Sequence, residues 1–169
     1  MSQQNLAKTH PSLDHLSSAE LLDRTRQVAA QERKVTALVL EHLREVERRR
    51  LYADLGYPSL FEFAVSELKY SESSAHRRIS AMRLSREVPS VAPAIEAGTL
   101  SLSVVSQAQR FFRVEKIENG KTYTPTQKEE ILEGLIGKSS RECERDLAAR
   151  SPEFAPKEKT RALSAAKLR

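Results

Sequence analysis

An all-α fold is predicted by three features of this 169-residue chain. Apolar residues recur at spacings of three and four, Ser-x-x-Glu capping boxes stand at the starts of several periodic runs, and four of the five glycines, Gly56, Gly98, Gly120 and Gly137, fall between runs. No run alternates with the period of two that marks a half-buried strand. The expected architecture is a multi-helix domain built of helical hairpins, including a helix-turn-helix-like unit.

The first helix opens at a capping box, where the Ser17 hydroxyl and the Glu20 carboxylate satisfy free N–H groups. Leu21, Leu22, Thr25, Val28 and Ala29 keep one face, and Val35, Leu38, Val39, His42, Leu43 and Val46 continue it. A helix with a bend near Gln31 is therefore expected to run to about Leu51. Gly56, Tyr57 and Pro58 stop it, because the residue before proline disfavours helical geometry. Ser59 with Glu62 forms a second capping box and opens a short helix over 60–68. Lys69 and Tyr70 then turn the chain, and Ser71 caps a helix that carries Ala75, Ile79 and Met82 inward and ends at Pro89. A second hairpin uses Gly98 as a left-handed stop and Ser101 as the next cap. A third has Pro125 in a first turn, Gly137 as the stop, and Ser139 with Glu142 as a capping box. Residues 1–16 read as a disordered N-terminal tail and 17–150 as the helical domain, with the helix-turn-helix-like unit at 59–86. Residues 151–169, with two prolines and five Lys or Arg against two Glu, read as a basic tail or linker.

A formal charge of +5, from 28 Lys and Arg against 23 Asp and Glu, favours an acidic partner such as nucleic acid. The lone Cys143 forms no internal disulfide and fits a reducing compartment. The N-terminus lacks the apolar core of a signal peptide, and no apolar run approaches the roughly 18 residues of a membrane span. A cytoplasmic protein with no membrane partner is expected. One cysteine and four histidines without ligand spacing offer no metal site, and there is no phosphate-cradling glycine loop, GxSxG elbow or HExxH pair. No catalytic residue, cofactor or small-molecule substrate is therefore assigned. His42, on an apolar face, reads as a packed histidine, and Phe61, Phe63 and Tyr70 read as core.

Successive helical residues turn by about 100°, so Ala75, Ile79 and Met82 share one side of the Ser71 helix and Ser73, His76, Arg77 and Ser80 the other. The second set is the expected reading face. Arginine can donate two hydrogen bonds to guanine, serine can serve a phosphate or a base, and N–H groups at a helix start can hold a phosphate. Arg48, Arg49 and Arg50 form the densest basic run and are a candidate phosphate clamp, in a place where the helix C-terminus also favours cations. Arg78, Arg83 and Arg86 fall outside the reading face or near its end and suit phosphate contacts or salt bridges. The expected partner is double-stranded DNA. The alternative is a protein-interaction or dimerisation module whose long helix from Val35 to Leu51 pairs with a copy of itself or with another subunit. An apolar stripe left exposed on that helix favours the alternative; a continuous positive surface joining Arg48, Arg49 and Arg50 to Arg77 favours DNA.

The succession of RRRLYADLGYPSLFEF, YSESSAHRRI and IEAGTLSLSVVSQAQRFF resembles the N-terminal region of a group of bacterial HNH endonucleases, over residues 20–150. In that family a metal-dependent nuclease module lies further downstream. The resemblance implies a DNA-binding or target-positioning domain that accompanies the nuclease. No histidine follows His76 here, so no catalytic residue of that module carries over and no activity is expected of this chain. It further implies a fragment, a truncated product or a stand-alone relative, with APKEKTRALSAAKLR resembling the start of the family's connector.

Overall fold

Helix α1 (Ser18–Arg49) is followed by the one-turn α2 (Leu51–Asp54), α3 (Leu60–Ser66), α4 (Glu72–Glu87) and α5 (Val91–Ala97). Then come α6 (Leu102–Glu118), α7 (Pro125–Glu133), α8 (Ser140–Arg150) and a 3-10 turn, Pro152–Phe154. The structure is a computed structural model that describes residues 12–154, and among these there is no strand, as the sequence predicts.

The helix starts follow from their caps. Ser17, Thr124 and Ser139 each form a complete capping box, while Ser59, Ser71 and Ser101 accept an N–H from the residue three ahead. Each such cap stabilises its helix by about 1 kcal/mol. At Ser59 the Glu62 N–H donates at 3.1 Å but the expected return bond from the Glu62 side chain is not made. The stops differ more. Arg50 takes the left-handed conformation, φ 58°, and closes α1 through its N–H on the carbonyls of Glu47 and Val46. α7 ends at Glu133, short of Gly137, which closes the following turn at φ 74°.

α4 is the centre of the domain, packed by α1, α3, α5 and α6. Ala75, Ala81 and Leu84 are fully buried and Ile79 and Met82 nearly so. The alanines let neighbouring helices approach closely, and burial extends round to Ala81 and Leu84, beyond the single inward side expected from Ala75, Ile79 and Met82. Phe63 is buried, and Phe61 and Tyr70 pack partly against the core.

α1 is one continuous helix of 32 residues, unbroken at Gln31, and about 48 Å long. Ala37, Leu40 and Leu43 form its buried face. The face read from the sequence is largely outside: Leu21, Leu22, Val28, Val35 and Leu38 are 38–68% exposed. His42, expected as a packed side chain, is exposed and holds its Nδ1 2.7 Å from the Leu38 carbonyl. The cause is placement, since every residue from 18 to 28 is exposed and the first turns of α1 extend past the packed body.

At the other end the packed body continues past Arg150. Ser151 and Phe154 are buried, and the Phe154 ring meets Phe111 edge-on at 5.7 Å between α6 and α8. Beneath this turn lies Glu115, nearly fully buried, which accepts from Asn119 at 2.7 Å and Tyr123 at 3.0 Å. Burial pushes its carboxyl up, but the Ser151 hydroxyl, then Asn119 and Tyr123, and the Lys121 charge outweigh it and hold the group below its ordinary value. Residues 12–16 form an exposed turn, with the Leu16 N–H donating to the Leu13 carbonyl at 3.0 Å. The remainder of both expected tails, 1–11 and 155–169, lies outside the described residues. No helix among the described residues is long and apolar enough to cross a membrane.

Candidate nucleic-acid interface

Helical spacing sets His76, Ser80 and Arg83 in one stripe of α4, and on α6 it sets Gln109, Arg110 and Arg113 in another. Packing of α4 on α6 brings the two stripes face to face. They enclose a pocket of about 250 Å³, whose remaining walls are Ile79 and the start of α3 at Ser59, Leu60 and Phe61. Among the described residues no carboxylate lines it.

The pocket side chains are held to different degrees. Arg110 donates to the Phe154 carbonyl at 3.3 Å and lies 4.7 Å above the Phe154 ring, so the buried C-terminal turn fixes its guanidinium. Arg113 is exposed and forms no ion pair among the described residues. The Gln109 side-chain oxygen is buried without a hydrogen-bond partner. An orphan of this kind costs about 1–3 kcal/mol and calls for an explanation at the site where it occurs.

Arg83 belongs to two clefts. On its other side it faces Arg44, Glu47, Arg48 and Arg86, where α4 crosses the C-terminal half of α1. Glu47 accepts from Arg83 at 2.7 and 3.1 Å and from Arg86 at 3.4 Å. Two residues before it, Glu45 accepts from Arg48 at 2.6 and 2.8 Å and from Arg49 at 2.5 Å. The hydrogen bonds from Arg48, then those from Arg49, hold the Glu45 carboxyl down at about 2, and the same contact raises Arg48. A positive belt therefore runs from Arg44 and Arg48 across Arg83 and Arg86 to Arg110 and Arg113, with Glu45 and Glu47 neutralising part of it.

Of the expected reading face, His76 and Ser80 line the α4–α6 pocket. Ser73 is exposed in the first turn of α4, its hydroxyl 3.4 Å from that of Ser71. Arg77 is half-buried and shares its face with the buried Ala81 and Leu84, away from the His76 stripe. Of the expected clamp, Arg48 lines the second cleft, Arg49 is tied to Glu45, and Arg50 is exposed at the left-handed stop. Arg78 stacks over Tyr70 at 4.3 Å and bonds Ser74, which braces the turn between α3 and α4. Arg44, Gln109, Arg110 and Arg113 were not singled out from the sequence. The available signal was the polar face of α6, which carries glutamines and arginines with no acidic residue before Glu115.

Among the described residues no group of three His, Cys, Asp or Glu is placed to hold a metal ion. Cys143 is buried, and burial pushes its thiol up, so it is a packing residue without a thiolate's reactivity. No family model, curated protein or solved structure matches this chain.

Proposed function

We propose that this chain is a helical DNA-binding domain that positions a target along the phosphate backbone, as the accessory domain of an HNH-endonuclease-like protein would. The observation that carries the reading is the arginine belt, with Arg83 common to two adjoining clefts. Guanidinium groups are the side chains best matched to phosphate oxygens, and a belt drawn from three helices keeps them at fixed separations. The enclosure of α4 by four other helices supports phosphate positioning over base reading, because only the start of that helix and one stripe remain accessible. Ser73 and Arg77 are left as the groups for any contact with base edges.

Fluorescence anisotropy with a labelled duplex over a range of salt tests this. Contacts from about four arginines should give a log–log slope near four, since each phosphate neutralised contributes about 0.9. An absence of binding at low salt, or an affinity indifferent to salt, would sink the reading. A second reading, self-association through α1, is favoured by the exposed apolar stripe of Leu21, Val28, Val35 and Leu38.

A further inference from the structure

We propose that the pocket between α4 and α6 takes a phosphomonoester carried on a nucleoside, presented by the phosphorylated end of a DNA strand or by a free mononucleotide. The strand-end source rests on the DNA-binding reading; the pocket chemistry stands by itself. Size is the first argument. At about 250 Å³ the pocket falls below the roughly 300–1,000 Å³ of sites for drug-sized ligands. It admits a phosphate with the sugar that carries it and leaves the base at the mouth, and it excludes a duplex, whose backbone can only pass over that mouth.

Charge is the second. Arg83, Arg110 and Arg113 line the pocket from two helices beside His76, with no lining carboxylate among the described residues; Arg83 also bonds Glu47 in the adjoining cleft and Arg110 the Phe154 carbonyl, while Arg113 makes no ion pair among the described residues. A phosphodiester in a strand carries one negative charge. A phosphomonoester carries about 1.5 to 2 at neutral pH and offers three strong acceptor oxygens, which matches three guanidinium groups better. The walls supply the third argument. Leu60, Phe61 and Ile79 form an apolar side against which a sugar or base can lie.

The test uses the full chain and a short duplex, labelled at one end, whose other end carries either a terminal phosphate or a hydroxyl. The phosphate should tighten binding by about tenfold, the factor expected from charge-assisted hydrogen bonds made to one group and not the other. Arg113→Gln should remove that difference without moving the unfolding midpoint, because the side chain is exposed and unpaired among the described residues. Arg86→Gln, outside the pocket, should weaken both duplexes alike and keep the difference. Calorimetric binding of adenosine monophosphate, with none for adenosine, supports the pocket with the free nucleotide as a sufficient ligand. Equal affinity for the two duplexes and no binding of adenosine monophosphate overturns the pocket, while salt-dependent binding of both duplexes leaves the DNA-binding reading intact. Binding of the nucleotide with no DNA binding at all has the opposite meaning: the pocket stands and the DNA reading falls.

Discussion

Glu47 stands where the two arginine clefts meet, accepting hydrogen bonds from Arg83 and Arg86 with its side chain 20% exposed. Its charge has two opposing effects. It orders the two guanidinium groups, and it cancels part of the field that would draw a phosphate to them. Two charges about 4 Å apart interact by about 1 kcal/mol in a watery environment. Glu47→Gln should therefore raise duplex affinity by about fivefold at low salt, with a loss of stability within the ~0.2–1 kcal/mol of partly exposed ion pairs. Glu133→Gln, an exposed position on α7, is the control and should leave affinity unchanged. If anisotropy shows Glu47→Gln binding no better than the parent chain, the belt does not contact phosphates near Arg83.

Among the elements, the short C-terminal turn holds more than its length suggests. Phe154 is fully buried, stacks edge-on against Phe111, and carries the Arg110 guanidinium above its ring. Its removal leaves a cavity between α6 and α8 and frees one wall of the pocket. Phe154→Ala should lower stability by about 3–5 kcal/mol, as truncation of a buried aromatic does, read as a drop in the thermal midpoint. A midpoint equal to that of the parent chain would mean that residues past Arg150 are a loose tail after all. The proline and charge content of 151–169 reads as a tail, because composition averages over a segment and cannot show that Ser151 and Phe154 turn inward.

At the scale of the whole molecule the unusual feature is the overhang of α1. Residues 18–28 are all exposed, and Leu21, Val28 and Val35 repeat every seven positions along the exposed side. A helix end of this length gains little from its own hydrogen bonds, and an apolar stripe on it gains from a second surface. Sedimentation velocity should show an average mass that rises with concentration through the micromolar range, and Val28→Glu should restore the monomer. A constant monomeric mass at every concentration would exclude self-association through α1. Such pairing and the arginine belt do not compete for the same ground, since the belt uses Arg44 and Arg48 near the C-terminus of α1 and the overhang is its first third.

The helices, and the points where most of them start, follow from residue order alone. Capping is a local interaction: Ser17, Ser71, Ser101 and Ser139 each bond an N–H three residues ahead, so the residues that decide the boundary lie within one turn of it. Periodicity also showed that α1 has apolar faces, but both Leu21–Val28–Val35 and Ala37–Leu40–Leu43 satisfy helical spacing. Which of them is buried depended on where α4 and α5 came to rest against the helix. The reading face on the Ser71 helix was drawn from that helix alone, and the tertiary structure divided it, leaving His76 and Ser80 in the pocket and Arg77 on another side. The partners of His76 and Ser80, Arg110 and Arg113, lie about thirty residues further along the chain. Their convergence is a property of helix packing, which no spacing within a single helix can record.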